Sequence, residues 1–220
     1  MTGRDRFRAA CHGEKTDRTP VVALDGGEVG DAFVVPSFNL PDIAGVGESA
    51  ILVEVANPFG RALDDGIDLN RLIDEDPERG GVILDGLVAD TCEQIARAAK
   101  SGVDGILYRL HGACEKYCSP MQYGGHYLEL DREVLSGVPS EMLAVVFVVG
   151  DKDLYLDFVS DLPGQVFGWD SRTTGVSAAE GRTIRQGLVA SFDPDSDILL
   201  ATTASSAAQL LERIPVESVL

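Results

Sequence analysis

The sequence predicts an α/β fold built on a parallel β-sheet, and three observations support this. Short apolar runs alternate with helical patterns along the chain. These apolar runs are continuous, as in strands that are covered on both faces. The chain has 220 residues and 45% hydrophobic content, which is enough for one substantial core but less than the roughly 250 residues of a typical eight-stranded α/β barrel. We therefore expect residues 1–220 to form a single domain.

The first half of the chain predicts a short helix, three strands and one long helix. A polar, basic segment over residues 1–19 is typical of a short helix. The apolar runs that predict the three strands are residues 21–24, 32–38 and 51–56. Asp76 and Pro77 form a favourable helix start, and apolar residues then recur every three or four positions up to Gly102.

The second half continues the same alternation. Further strands are predicted at residues 105–110, 143–149, 165–169 and 188–192. Helices are predicted from Ser119 and Pro120 onward, near residues 154–162, from the capping box at 177–180 to Gly187, and over Ala204–Arg213.

Charge and cysteine content narrow the classes of partner. Lys and Arg total 18 against 36 Asp and Glu, so the net charge of -18 repels nucleic-acid phosphates and anionic lipid headgroups. No apolar run approaches the roughly 18 residues of a membrane span. We expect neither nucleic acid nor membrane as a partner. The four cysteines, without an apolar leader before them, indicate reduced thiols and a cytoplasmic protein.

Polar residues follow the predicted strands at their carboxyl ends, where ligands bind in parallel α/β folds. They are Asp25, Asn57, Arg109, His111, Asp151, Asp170, Ser171, Arg172 and Asp193. The sharpest group is Asp170, Ser171 and Arg172, which puts a carboxylate, a hydroxyl and a guanidinium at the end of one strand. Arg172 either holds a ligand carboxylate through two hydrogen bonds or pairs with Asp170 to fix the loop.

A metal site is a further alternative. His111, Cys114 and Cys118 have a spacing that allows an imidazole and two thiolates to meet one soft ion such as Zn²⁺. A fourth ligand is not obvious, and Ser119 and Pro120 indicate that the helix starts only after Cys118. Two ordinary free thiols are the competing interpretation, and we expect no metal or other cofactor.

Several stretches together resemble the uroporphyrinogen decarboxylase superfamily. In chain order they are residues 4–10 with Gly13, 17–21, 57–59, 76–78, 101–106, 112–114, 119–123, 169–175 and 179–182. The resemblance implies a distorted (β/α)8 barrel with its cleft at the carboxyl ends of the strands. The family includes the cofactor-free decarboxylase of haem synthesis, zinc-dependent methyltransferases that act on corrinoid proteins, and members of unassigned function.

The sequence also departs from that family. The decarboxylases carry an arginine-rich glycine loop after the first strand and a catalytic Asp after the next, and residues 25–28 match neither feature. In the methyltransferases a His-x-Cys pair binds zinc at the end of the strand that here spans residues 143–149. Phe147 and Val149 occupy those two positions and cannot bind zinc. In that family a further strand and a final helix follow the position that corresponds to residue 214. We therefore expect a shortened or incomplete barrel in which two of the eight strand–helix units are deleted or truncated.

The leading hypothesis is a compact uroporphyrinogen decarboxylase-like protein that binds a tetrapyrrole or related polycarboxylate, with cofactor-free decarboxylation as its activity. The candidate catalytic residues are Asp170 and Asp25, and the candidate substrate-binding residues are Arg172, Arg109, His111, Ser171 and Asn57. One alternative is a corrinoid-linked methyltransferase that uses His111, Cys114 and Cys118. Another is a non-catalytic binding module. Because an incomplete barrel exposes strand edges, we also expect a homodimer that covers them.

Overall fold

Eight parallel strands close into a barrel in the computed structural model, which describes residues 1–37 and 47–215. The strands are β1 Val21–Ala23, β2 Ala32–Pro36, β3 Ala50–Ala56, β4 Gly105–Leu110, β5 Leu143–Val148, β6 Val166–Trp169, β7 Leu188–Ser191 and β8 Ile198–Ala201. The helices are α1 Gly3–Cys11, α2 Pro58–Asp64, α3 Leu69–Glu75, α4 Pro77–Ser101, α5 Pro120–His126, α6 Leu128–Ser136, α7 Ser171–Thr174, α8 Ala178–Ile184 and α9 Ala204–Arg213. The predicted α/β barrel class is therefore confirmed. None of the described helices has the length and apolar character needed to cross a membrane.

The expectation of an incomplete barrel is wrong. The sequence predicts seven strands, and the eighth, β8, pairs with β7 and with β1 to close the sheet. The chain is short because connections are compressed, with loops in place of helices between β1 and β2 and between β7 and β8. Every strand of the closed sheet has two partners. The argument for a homodimer that covers open edges therefore loses its basis.

The predicted helix at residues 154–162 is also wrong. Leu156, Val159 and Leu162 are buried, but residues 156–161 form consecutive turns and not a helix. Asp153 has a positive φ of 53°, and Leu154 forms an isolated bridge with Cys114. These contacts, with the hydrogen bond from the Tyr155 amide to the Ala113 carbonyl, tie the segment to the loop that follows β4. Residue 38, the last of one predicted strand, lies outside the described residues.

The long helix α4 follows its sequence signals closely. The Asp76 side chain accepts a hydrogen bond from the Arg79 amide, and Pro77 occupies the first turn. The helix ends at Gly102, whose φ of 76° lies in the left-handed region that glycine adopts without strain. Leu84, Leu87 and other apolar residues of α4 pack on the outside of the sheet.

A second apolar cluster fills the inside of the barrel. It contains alternate residues of the strands, such as Leu52 on β3, Leu107 on β4 and Val145 on β5. Phe7 of α1 is fully buried against this cluster. Helix α1 therefore plugs the end of the barrel at which the strands begin, which we call the amino end.

Ion pairs fasten this plug. Arg6 of α1 binds Asp17 and Asp31, and Arg18 binds both oxygens of Asp31 at 2.6 and 2.9 Å. The Val21 amide donates a further hydrogen bond to Asp31, whose side chain is only 1% exposed. The Arg6 guanidinium lowers the pKa of Asp17 to about 2. Part of the sequence that carries the family resemblance thus has a structural role at the amino end.

Candidate functional site

An open cleft of about 320 Å³ lies at the opposite end of the barrel, which we call the mouth. Ligands of (β/α)8 barrels bind at this carboxyl end of the strands. Its apolar lining is Leu24, Phe147, Val149 and Phe192, together with the ring of Tyr117. Its polar lining is Lys116, Asp151, Asp170, Arg172, Thr173 and Thr202. The cleft thus combines an apolar wall with a few charged groups, as small-molecule sites do.

Asp170 and Arg172 form a two-point ion pair beside this wall. Arg172 donates from Nη2 to Asp170 Oδ2 at 2.7 Å and from Nε to Oδ1 at 2.9 Å. Its Nη1 reaches the Thr202 hydroxyl at 3.2 Å, and its guanidinium carbon stacks 3.5 Å from the ring centre of Phe192. This hydrogen bonding lowers the pKa of Asp170 and raises the pKa of Arg172, so both stay charged.

The pair both fixes the loop and presents a cation. Three of the five N–H groups of a guanidinium are used by described partners, which leaves two for a ligand. The Arg172 side chain is 53% exposed. Trp169, the residue before Asp170, fixes the start of this loop. Its indole donates to the Val176 carbonyl at 2.8 Å and packs on Gly181, where there is no room for a Cβ atom. Ser171 is half-buried in α7 and does not line the cleft.

A second ion pair lies inside the mouth. Glu54 on β3 accepts a hydrogen bond from Nη1 of Arg109 on β4, with 2.7 Å between Oε1 and Nη1. Both side chains are about one third exposed, at 34% and 31%. Arg109 was expected from its place at a strand end, but Glu54 was not. The available signal for Glu54 is that it is the one charged residue in the apolar run of β3.

Asn57 is fully buried, and its side chain forms hydrogen bonds with backbone groups. Its side chain accepts from the amides of Gly60 and His111, at 2.9 and 3.1 Å, and donates to the His111 carbonyl at 3.0 Å. It also donates to the buried carboxylate of Asp131 at 3.1 Å. Asn57 therefore begins α2 and fixes the end of β4, away from the cleft lining.

Asp131 is the centre of this buried network and has no counterpart in the sequence-based predictions. The hydroxyls of Tyr108 and Tyr123 each donate to it at 2.7 Å. Burial raises the pKa of Asp131 to about 6, although these hydrogen bonds oppose the shift. The network joins α5 and α6 to the ends of β3 and β4.

His111 is a buried, neutral imidazole. Its side chain packs so closely on α2 that a Cβ on Gly60 would lie 2.6 Å from its Cδ2 atom. Burial, followed by the charge of Arg109, lowers the pKa of His111 to about 4. Neither ring nitrogen has a hydrogen-bond partner among residues 1–37 and 47–215. His111 is 7% exposed and is not part of the cleft lining.

The cysteines do not join His111 around an ion. Cys114 and Cys118 are buried free thiols, and burial raises the pKa of Cys118 to about 11. Cys118 contacts the Asn70 amide instead. Within the described part of the chain, no three His, Cys, Asp or Glu side chains are grouped in a way that could hold a metal ion. Phe147 and Val149, which the family resemblance predicts at zinc-binding positions, contribute only hydrocarbon to the cleft. These residues do not fit a zinc site.

The remaining strand-end carboxylates have different surroundings. Both oxygens of Asp25 lie 3.0 Å from the amide of Ala204 at the start of α9. Asp193 accepts from the Ala178 amide at the start of α8, at 2.8 Å. Asp151 lines the cleft and lies 3.7 Å from Lys116. Asp25 and Asp193 thus support helix starts, while Asp151 joins Asp170 and Arg172 in the cleft.

Comparison with known proteins identifies a fold relative. No protein-family model matches this sequence, and a search of curated proteins gives no match. Among solved structures, the chain is similar to a methyltransferase from Methanosarcina mazei, with a TM-score of 0.74 and 12% sequence identity. The match covers 96% of this chain and 98% of that chain. At this identity the likeness supports the barrel fold alone, because one fold hosts many activities.

Proposed function

We propose that the chain is a small-molecule methyltransferase whose ligand lies in the mouth cleft with an anionic group on Arg172. The observation that carries this proposal is the Asp170–Arg172 pair, which presents unused N–H donors beside the apolar wall of the cleft. Such donors bind a carboxylate through charge-assisted hydrogen bonds. The fold relative is a methyltransferase, which favours this class over the decarboxylase hypothesis.

The size of the cleft argues against a tetrapyrrole. Its volume of about 320 Å³ is at the lower end of the roughly 300–1,000 Å³ range of drug-sized ligand sites. Its described cations, Lys116 and Arg172, each already face a carboxylate. A tetrapyrrole that carries several carboxylates needs more space and more positive charge. A ligand with one anionic group and a short apolar chain fits better.

The residues of the chain define what the site contributes. Arg172 orients the anionic group, and Phe147, Val149 and Phe192 exclude water from the apolar part of the ligand. Because the described residues do not fit zinc, we derive no step through a metal. The methyl acceptor has to enter as a nucleophile that is already deprotonated, since hydrogen bonding to Arg172 lowers the pKa of Asp170 and makes it a weak base.

A binding module without catalysis is the second candidate. The observation that favours it is that the described residues contain no group of side chains that could hold a metal ion, and that Phe147 and Val149 contribute only hydrocarbon to the cleft. We also propose that residues 1–220 act as one domain, because the described segments share one closed barrel. A cytoplasmic location stays a prediction from the sequence.

Methyl transfer to a thiol tests the proposal, with methylcobalamin as a soluble donor that offers its methyl group at the opening of the cleft and does not enter it. The reaction is run without oxygen at pH 9, where the acceptor is partly thiolate. The thiolate sulfur attacks the methyl carbon, the electron pair of the Co–C bond stays on cobalt as cob(I)alamin, and the proton goes to solvent. We expect turnover with 3-mercaptopropionate, and a ten- to hundredfold loss of kcat/KM in Arg172→Gln. With 2-mercaptoethanol, which lacks a carboxylate, the two proteins should be equal.

Arg71→Gln is the matched control, since Arg71 is an exposed arginine on α3 that pairs with Glu75 outside the cleft. Saturable binding of 3-mercaptopropionate that depends on Arg172, without demethylation of methylcobalamin, would support the binding module. Absence of both binding and demethylation would overturn both candidates.

A further inference from the structure

The Glu54–Arg109 pair lies at the same end of the barrel, next to the cleft but outside its lining. Arg109 is the register partner of Phe147, which lines the cleft. Side chains alternate along a strand, and Leu52 and Leu107, two residues earlier on β3 and β4, belong to the barrel interior. Glu54 and Arg109 therefore point inward, one pleat nearer to the mouth. The positions below them are apolar and the two side chains are about one third exposed, so the two charges mark the level at which the packed core ends.

An ion pair at this level is not explained by stability. Removing two charges from water costs free energy, and well-packed apolar residues in their place are often at least as stable. At the amino end, the buried Asp31 is bound by two arginines and a backbone amide. Glu54 and Arg109 share one hydrogen bond and stay one third exposed.

One carboxylate oxygen of Glu54 has no hydrogen-bond partner among the described residues. Glu54 Oε1 is taken by Arg109, whereas Oε2 has no described partner. Arg109 holds the carboxylate in place from one side, and the second oxygen remains available to a donor. A carboxylate oxygen in this position accepts from an ammonium group.

The strand order places an apolar bridge between the two ion pairs. Arg109 on β4 is level with Phe147 on β5, and Phe147 is level with Gly168 on β6, two residues before Asp170. Phe147 lines the cleft that Arg172 faces. A ligand that runs from Arg172 toward Glu54 therefore crosses the Phe147 ring with its methylene chain.

We infer that Glu54 binds an ammonium group and that the ligand of the mouth is a short dipolar molecule with a carboxylate at one end and an ammonium group at the other. Small ω-amino acids are probes for these two ends. The ammonium group is an anchor, so the methyl-accepting atom of the ligand lies on the chain between the ends. This inference rests on the proposed function, because it takes the anionic end to lie on Arg172. The net charge of -18 agrees with it, since the field of the protein attracts an ammonium group and repels a second carboxylate.

Ligands that differ in one end group provide the test. The six-carbon set is 6-aminohexanoate, hexanoate and adipate, and the four-carbon set is 4-aminobutanoate, butanoate and succinate. In calorimetric titration we expect the amino acid of at least one set to bind ten- to a hundredfold more tightly than its alkanoate, and the dicarboxylate to bind most weakly. Glu54→Gln should reduce the advantage of the amino group below about threefold, within the range of a neutral hydrogen bond.

The variants separate this inference from the proposed function. Arg172→Gln should weaken binding of both amino acid and alkanoate, and Glu75→Gln on the exposed part of α3 should change neither. If alkanoates bind as tightly as amino acids and still require Arg172, the ammonium site is wrong and the proposed function stands. If a dicarboxylate binds most tightly, the ammonium site is likewise wrong. If no ligand of either set binds, the proposed function fails as well. The wild-type ranking decides the question even if Glu54→Gln does not fold.

Discussion

The two ends of the barrel use the same ion-pair chemistry in opposite ways. At the amino end, Asp31 is 1% exposed and accepts hydrogen bonds from Arg6, Arg18 and a backbone amide. At the mouth, Glu54 and Arg109 share a single hydrogen bond and stay one third exposed. A charge whose hydrogen bonds are all made within the protein holds structure together. A charge with hydrogen bonds left to make is suited to a ligand.

The two ends of the barrel also differ in how far water can enter. Helix α1 closes the amino end with Phe7, and the central carboxylate of the ion pairs there, Asp31, is almost completely shielded from water. The mouth carries an open cleft instead, with Arg172 more than half exposed. Mutations at the amino end should therefore change the stability of the fold, and mutations at the mouth should change binding.

The largest expected effect separates the ends by stability. Asp31→Asn keeps the shape of the side chain but removes the carboxylate from the buried Arg6 and from Arg18, whose side chain is 12% exposed. We expect the free energy of unfolding in urea to fall by about 3–5 kcal/mol. Glu54→Gln at the mouth should lower it by less than about 1 kcal/mol, because its partner stays in contact with water. Equal losses in the two variants would contradict the division between the ends.

A smaller effect appears in the dependence of stability on pH. The pKa of Asp131, beside the mouth, is raised to about 6 in the folded protein, against about 3.9 when unfolded. The folded state therefore binds the proton more strongly, and this group adds stability as the pH falls from 7 toward 4. From pH 7 to pH 5 the unfolding free energy of wild type should rise by about 1 kcal/mol relative to Asp131→Asn.

Asp17 at the amino end is the control for this measurement. Its pKa is lowered to about 2, so the stability that it contributes is present above pH 4 and is lost only as the pH falls through 2. Between pH 7 and pH 5, the difference between wild type and Asp17→Asn should stay constant. A parallel change in both comparisons would show that the pH effect does not come from Asp131.

The smallest expected effect concerns Arg172 and the fold. Its ion pair with Asp170 is exposed, and exposed pairs contribute about 0–1 kcal/mol. Arg172→Gln should therefore lower the urea midpoint only slightly while it weakens ligand binding at least tenfold. A loss of stability as large as that of Asp31→Asn would place Arg172 among the structural charges.

Local signals explain which parts of the fold were predictable. Helix starts such as Pro77 and Ala178 follow capping residues in the sequence, and the structure places them there. Strand β8 has four residues and follows an acidic turn, so no long apolar run announces it. Its assignment depends on pairing with β1, which is a contact between the two ends of the chain.

The same limit applies to the candidate site. Asp170 and Arg172 are two residues apart, so the sequence alone suggests that they pair. Glu54 and Arg109 are 55 residues apart, and Asn57 and Asp131 are 74 apart. No local pattern links such residues. His111, Cys114 and Cys118 are instead suggested as a group because they are close along the chain. In the structure they are buried and do not meet around a common ion: His111 packs on α2, and Cys118 contacts Asn70.

The hydrogen bonds between Asp25 and Ala204 join positions 179 residues apart and lie next to the seam where β1 meets β8. Contacts between such distant segments form slowly, since the loop between them has to be closed first. We therefore expect the seam to be completed late in folding. Until then the sheet has two free edges that can pair with other chains, so the time before closure is when this protein is most exposed to aggregation.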